Sequence, residues 1–257
     1  MWEKTSRWGR GLVWAGLCVA TVVSSGEVER STVSASPARL QADRKPVIRA
    51  AADSRRAWLG AEYQGLMLSK IANRTDGSLA IDVRFRRDAL TIGIDAAGGI
   101  TVARGNASVR VTSAEAFDRL QRVLAGSDAV LAARVLLAER EAASDLQAPE
   151  MSLLSTAAFI ASLAGDLDAP RRLSARFVEK YRGWYRPVRL ATCFEEYSTE
   201  SSAAWNDLQN CMDEANQDPS MWNRAYRRVA CNGVWLVRSE SAWIEYIGCL
   251  GLGQLYQ

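Results

Sequence analysis

The fold is decided by residues 79–111, which read LAIDVRFRRDALTIGIDAAGGITVARGNASVRV. Apolar and polar side chains alternate along this stretch in four short runs, and Gly, Asn and Asp residues separate the runs. Alternation with a period of two places the apolar side chains on one face of a strand, and the separating residues favour turns. The stretch therefore predicts an antiparallel β-meander of about four strands. Its charged outer face carries Asp82, Arg84, Arg86 and Arg110 and is interpreted as solvated rather than as a binding surface.

Helices are predicted after the meander, because the apolar period changes at Thr112 from two residues to 3.6. Thr112 has capping-box spacing to an acid and begins a helix that ends at Gly126, and Ser127 caps the next helix. Residues 151–164 are apolar almost all round and predict the most buried helix, followed by another over about 170–182. Strands and helices together predict an α+β domain over residues 58–182.

Two segments before the meander are less regular. Residues 58–71 fit the helical and strand patterns about equally well, so either a helix or a strand can lead into the sheet. Residues 26–57 contain Ser, Ala and charged residues with few large apolar ones. Such a composition buries too little apolar surface to offset the entropy of ordering, so a flexible linker or tail is predicted there.

Residues 1–25 are typical of a secretory signal peptide. Residues 1–10 carry three basic residues against one acid, and an apolar core follows over residues 11–23. We expect cleavage after residue 25. A lipoprotein is disfavoured because Leu17, which is not a small residue, precedes Cys18. An uncleaved membrane anchor is disfavoured because the apolar run is shorter than a bilayer span of about 20 residues.

Four cysteines lie beyond the predicted cleavage site, at Cys193, Cys211, Cys231 and Cys249. An even number of cysteines in an exported protein predicts two disulfides, and hence a secreted or periplasmic location. The cysteines are separated by 18, 20 and 18 positions, which is unlike the closely spaced cysteine pairs of zinc sites. We therefore expect no metal site and no cofactor.

Residues 183–257 carry an internal repeat. A shift of 38 positions superimposes residues 184–212 on residues 222–250, with the shared pattern W-x-R-x2-R-x3-C-x7-S-x2-A-W-x5-C. Because Trp and Cys are rare, their coincidence at one offset indicates a duplication. Arg and Trp recur within each copy at helical spacing, so we expect each unit to form two short helices of a small disulfide-bonded all-α module.

Three disulfide connectivities are possible for four cysteines. We favour Cys193 with Cys211 and Cys231 with Cys249, because each copy could then fold alone. Each bond would close a loop of about 19 residues and contribute roughly 3 kcal/mol. An exchange of partners between copies, Cys193 with Cys249 and Cys211 with Cys231, keeps the same symmetry and is the main alternative.

Composition excludes several classes of function. The chain has no histidine, which excludes catalysis by Ser-His-Asp or Cys-His groups and zinc or haem sites with histidine ligands. The net charge is only +3 and no basic run is present, so no nucleic-acid partner is expected. Nucleotide-binding glycine loops, nucleophile elbows and CxxC pairs are also absent from the sequence.

We therefore expect an exported, non-catalytic binding or interaction protein, whose partner is an unknown protein or an anionic or sugar-like ligand. A membrane is a partner only if the N-terminal segment is uncleaved. Guanidinium and aromatic groups of the repeat suit such ligands, and the possible ligand-binding residues are Arg186, Arg189, Trp205, Arg224, Arg227 and Trp243. The alternative is a glycosidase-like hydrolase that uses carboxylates alone, with Glu195, Glu196, Glu200, Asp207 and Glu245 as candidates.

Overall fold

The computed structural model describes residues 45–52, 55–73, 75–143, 146, 148–181 and 191–249. The described chain begins with seven antiparallel strands that lie in the sheet in their order along the sequence. The strands are β1 (Val47–Ala52), β2 (Arg56–Tyr63), β3 (Leu66–Asn73), β4 (Leu79–Phe85), β5 (Asp88–Ile94), β6 (Ile100–Arg104) and β7 (Ala107–Val111). The predicted signal peptide and residues 26–44 of the predicted tail lie outside the described residues.

The prediction of an α+β fold is confirmed, and strands β4 to β7 are the four predicted strands. The prediction of about four strands is wrong, because β1, β2 and β3 extend the meander to seven. Strand β1 lies in the segment predicted as a tail. Its pattern is weak because its buried inner residue is the small Ala50, which pairs with Leu59 of β2.

Strands β2 and β3 form a hairpin whose sequence does not alternate cleanly. The inner face of β3 contains the charged Lys70, and the outer face of β2 contains the large Trp58. The hairpin turns at Gln64 and Gly65, both with positive φ, of 48° and 83°. Two positive values suit the tight turn between twisted antiparallel strands, and Gly65 adopts its value without steric cost.

Six helices follow the sheet in the described chain: α1 (Ala114–Leu124), α2 (Asp128–Arg140), α3 (Ala148–Leu163), α4 (Ala169–Tyr181), α5 (Ala191–Asn216) and α6 (Met221–Cys249). The first four correspond to the predicted helices. Ser127 caps α2 as predicted, whereas the side chain that caps α1 is that of Ser113, one residue after the predicted Thr112. No helix among the described residues combines the length and apolar character needed to cross a membrane.

Helix α3 lies at the centre of the molecule. Every residue from 149 to 163 is buried, and α3 packs against α2, α4, α6 and the edge strand β1. These neighbouring elements cover the helix on all sides, which explains why the α3 sequence is apolar almost all round. One hydrophobic core joins the inner face of the sheet, α3 and the buried faces of α5 and α6, including Tyr197 and Trp243.

Helices α5 and α6 form a hairpin joined by a disulfide between Cys211 and Cys231, whose Cα atoms are 5.8 Å apart. The expectation of two short helices per unit is wrong, because the described part of each unit lies in one long helix. Cysteines 18 residues apart on one helix are about 27 Å apart, too far for a bond. The favoured pairing within each unit is therefore also wrong. The duplication itself stays a prediction.

Candidate functional site

A buried polar cluster joins β3, α3 and α6. The Lys70 ammonium Nζ lies 2.5 Å from Glu240 Oε1 and 2.5 Å from Ser152 Oγ. It also donates to the Ser152 carbonyl oxygen at 3.0 Å and to Thr156 Oγ1 at 3.2 Å. The Lys70 and Glu240 side chains are only 3% and 4% exposed. Burial lowers the pKa of Lys70, and the opposite charge of Glu240 works against this shift.

This cluster resembles a nucleophile beside a base, but its geometry favours a structural role. The Ser152 hydroxyl lies 3.1 Å from both carboxylate oxygens of Glu240, and Ser152 is buried in the second turn of α3. Ser152 is only 4% exposed and is not among the residues that line the cleft at Glu240. The cluster therefore ties three elements together, as a buried ion pair with satisfied hydrogen bonds does.

The five candidate acids of a hydrolase are dispersed. Glu195, Glu196 and Glu200 are exposed on α5, and Asp207 forms an ion pair with Arg238. Glu245 lines a cleft of about 240 Å³ between α6 and the β3–β4 turn. The other acid that lines this cleft is Glu240, which is paired with Lys70. The cleft therefore holds one acid of the candidate set, and its second carboxylate, Glu240, comes from the same helix and is already paired with Lys70.

The predicted Arg and Trp ligand residues are not brought together where the structure describes them. Arg186 and Arg189 lie outside the described residues, and Trp205 is half-buried on α5. Trp243 is buried and contacts the rings of Tyr197 and Tyr246, with centroids 6.4 and 6.0 Å away.

Arg224 and Arg227 lie near the beginning of α6, at least 16 residues before Trp243. This separation is about 24 Å along a helix. The Arg227 side chain also lies beside Asp218, with 3.3 Å between Nε and Oδ2. The involvement of this residue set in binding stays a prediction.

The outer face of β1 to β4 carries the feature that sequence reasoning missed. Four large apolar side chains are exposed there, Val47, Trp58, Met67 and Ile71. A groove of about 400 Å³ runs over this face. We call it the outer-face groove, and the residues that define it are Arg49, Trp58, Glu62, Met67, Asp82 and Arg84. Exposed apolar clusters rimmed by polar groups are typical of binding surfaces.

The Trp58 ring lies over Gly60 on this face. A Cβ atom placed on Gly60 would be 2.5 Å from Cζ2 of the Trp58 ring, so the indole covers the glycine. The Trp58 Nε1–H donates to Ser69 Oγ at 3.0 Å, and Ser69 is the residue opposite Gly60 on β3. Because Gly60 has no side chain, there is room for the Trp58 ring above it, and the hydrogen bond to Ser69 holds the ring in this position. Trp58 is still 37% exposed, so the ring also presents surface to solvent.

The strand register places charged groups of both signs around the indole. Arg49, Gly60, Ser69 and Asp82 form one row across four strands, which spans about 14 Å. The next row contains Glu62, Met67 and Arg84. Arg49, Glu62 and Arg84 form no ion pair with any residue that the structure describes.

Asp82 is held in place by its neighbour on β5, since its Oδ1 atom accepts a hydrogen bond of 2.8 Å from Thr91 Oγ1. The groove therefore offers an apolar platform with both donors and acceptors. Sequence reasoning misses it because residues 58–71 fit a helix and a strand equally well, which leaves Trp58 and Glu62 unplaced, and because the charged face with Asp82 and Arg84 is interpreted as solvated. The spacing of Trp58, Gly60 and Glu62, opposite in phase to Leu59 and Tyr63, is the signal that could have found it.

Comparison of the chain with protein-family models, with curated proteins and with solved structures found no match.

Proposed function

We propose that this chain is an exported, non-catalytic binding protein and that the outer-face groove is its binding surface. The observation that carries the proposal is the Trp58 indole, which is hydrogen-bonded to Ser69, seated over Gly60 and partly exposed. Leaving a large aromatic on a solvated face costs hydrophobic free energy that burial against a ligand would recover. A volume of about 400 Å³ is within the usual range of small-molecule sites.

Export is supported by two independent features. The N-terminal sequence has a basic segment, an apolar core and small residues in the order typical of a signal peptide. Cys211 is bonded to Cys231, and Cys193 is disulfide-bonded as well. Stable disulfides are common in oxidising compartments and rare in the cytosol.

The non-catalytic part of the proposal is supported by the open character of the groove. A glycosidase acid is kept protonated by an apolar pocket that excludes water. Within the groove, Glu62 is exposed and Asp82 is partly exposed on an open sheet face. The buried candidate, Glu240, is paired with Lys70 and does not face the groove.

The test is a binding panel on the purified, oxidised protein. Three classes of probe are compared: a mixture of oligosaccharides, a random peptide library and phospholipid vesicles. The variants are Trp58→Ala and Trp222→Ala, the second removing an exposed Trp that lies outside the groove. We expect at least one class to bind the wild type and Trp222→Ala but not Trp58→Ala, and the bound probe to be recovered chemically unchanged.

Two outcomes contradict the proposal. One is that no class shows binding that depends on Trp58. The other is that a probe is recovered cleaved and that the cleavage stops when a candidate acid is changed to its amide, which would establish the hydrolase.

A further inference from the structure

We infer that the ligand of the outer-face groove is a chain of neutral pyranose sugars that stacks on the Trp58 indole. This inference rests on the proposed function, since it names the ligand class of the same surface. It is argued from three properties of the groove: a partly exposed aromatic ring held by a hydrogen bond, hydrogen-bonding groups of both kinds beside it, and a balance of charge.

The Trp58 ring is a preorganised platform. Its position is fixed by the contact with Gly60 and by the hydrogen bond to Ser69 Oγ, so little conformational entropy is lost when a ligand stacks on it. Trp58 is 37% exposed, so part of the ring is available for contact with a ligand. A pyranose ring has a flat face of C–H groups that matches an indole face in shape and polarity, because the aromatic face carries partial negative charge.

The groups beside the platform suit hydroxyls. The guanidinium groups of Arg49 and Arg84 can donate hydrogen bonds to a ligand, and the carboxylates of Glu62 and Asp82 can accept them from it. Asp82 is already oriented by Thr91 Oγ1, and its Oδ2 atom makes no hydrogen bond to any residue in the described ranges. A sugar hydroxyl both donates and accepts, so one ligand class can satisfy guanidinium and carboxylate groups together.

The charge balance argues against strongly charged ligands and purely apolar ones. The four charged residues that define the groove are two basic and two acidic. A strongly anionic ligand would meet the carboxylates, and a strongly cationic one would meet the guanidinium groups. A purely apolar partner would bury all four charges without hydrogen bonds, at high cost. A neutral polyhydroxyl chain avoids each of these penalties.

The length of the groove favours a chain over a single sugar. The row from Arg49 to Asp82 crosses four strands and is about 14 Å long, and Trp58 lies between its ends. Contacts at both ends therefore require a ligand of several sugar units.

Two glycines provide a matched pair of variants. In Gly60→Ala, the new Cβ would collide with the Trp58 ring and displace the indole while leaving it in the protein. In Gly93→Ala, on the outer face of β5, the new Cβ has no atom within 4 Å. Both substitutions are the same chemical change in the same sheet, so their comparison isolates the position of the indole from the effect of losing a glycine.

The experiment is calorimetric titration of the folded protein with cellohexaose, maltohexaose and chitohexaose, which differ in linkage and substituents. We expect at least one of them to bind, with Trp58→Ala weakening the affinity by about tenfold or more. We expect Gly60→Ala to weaken it severalfold and Gly93→Ala and Trp222→Ala to leave it unchanged. Circular dichroism of each variant verifies that the fold is kept.

The outcomes separate this inference from the proposed function. Peptide or vesicle binding that depends on Trp58, with none of the three hexasaccharides bound, overturns the sugar inference and leaves the binding surface standing. Hexasaccharide binding that survives both Trp58→Ala and Gly60→Ala overturns the assignment to this groove. If neither the hexasaccharides nor the peptide and vesicle probes show binding that depends on Trp58, both proposals are overturned.

Discussion

At the scale of single residues, two side chains occupy positions where the strand pattern calls for the opposite type. Lys70 lies on the inner face of the sheet and Trp58 on the outer face. The first is accommodated by Glu240 and Ser152, which come from distant parts of the chain. The second is accommodated by Gly60 and Ser69. The first exception marks the buried polar cluster, and the second marks the proposed binding surface.

The buried pair allows a stability prediction. Changing Lys70→Met leaves Glu240 buried without its cation, and we expect a loss of about 3–5 kcal/mol in the free energy of unfolding. Glu240→Gln should also destabilise the protein, because Lys70 then loses its counter-charge. The double variant should lose less than the sum of the two. Urea unfolding of the four proteins measures this, and additive losses would show that the two groups do not act as a pair.

Asp88 provides a prediction about pH. Its Oδ1 atom accepts from Arg104 Nε at 2.8 Å, and its Oδ2 atom accepts from Ser127 Oγ at 2.6 Å and from the Ala129 N–H at 3.2 Å. Burial alone would raise the pKa of Asp88, but these hydrogen bonds outweigh burial and lower it. Because the folded pKa is below the unfolded value of about 3.9, Asp88 stabilises the fold above that pH, and the contribution is lost as the pH falls through the folded pKa.

Asp88→Asn should therefore cost about 1–3 kcal/mol at neutral pH and make stability less dependent on pH below about 4. The control is Asp118→Asn, which removes an exposed ion pair with Arg122 and should cost at most about 0.5 kcal/mol. Thermal unfolding measured across the acid range tests both. An unchanged acid dependence in Asp88→Asn would show that other carboxylates determine it.

At the scale of elements, the helical hairpin explains why the favoured disulfide pairing is wrong. The repeat pattern predicts two short helices in each copy, yet α6 runs unbroken from Met221 to Cys249. Between Arg227 and Trp243 there is no proline and the one glycine is Gly233. That glycine allows α6 to approach the sheet, since a Cβ there would lie 3.1 Å from Ile100 Cδ1. A continuous helix keeps the two cysteines of one copy too far apart to bond, and Cys211 of the first copy is bonded instead to Cys231 of the second.

The antiparallel arrangement of α5 and α6 also predicts the second disulfide. A step of 18 residues back along α5 from Cys211 leads to Cys193, and the same step forward along α6 from Cys231 leads to position 249. We expect non-reducing peptide mapping by mass spectrometry to recover Cys193 linked to Cys249 and Cys211 linked to Cys231. A peptide that links Cys193 to Cys211 would contradict the helical hairpin.

At the scale of the whole molecule, sequence patterns predicted the α+β class, the last four strands and the first four helices. These elements have regular periods and recognisable caps, such as Ser127. The missed strands are those in which single residues break the period, Ala50, Trp58 and Lys70. The candidate site lies on these same strands. It could not be predicted because a groove across four strands depends on register, which pairs residues that no local pattern connects.

The shared core makes a prediction about cooperativity. Residues from the sheet, α3, α5 and α6 belong to one hydrophobic cluster, although the sequence suggested a separate helical module from residue 183. We expect the oxidised protein to unfold in one transition, with tryptophan fluorescence and far-ultraviolet circular dichroism changing together in urea. Two separated transitions would instead indicate that the helical hairpin and the sheet fold independently.

The most direct test of the binding surface is nuclear magnetic resonance of the indole N–H groups. The Trp58 signal is assigned by its absence in a Trp58→Phe variant, and a hexasaccharide that binds is titrated into the isotope-labelled wild type. We expect the Trp58 signal to shift most, because its N–H is already engaged with Ser69 beside the groove. Shifts confined to Trp205, Trp222 or Trp243 on the helical hairpin, with the Trp58 signal unmoved, would contradict the account.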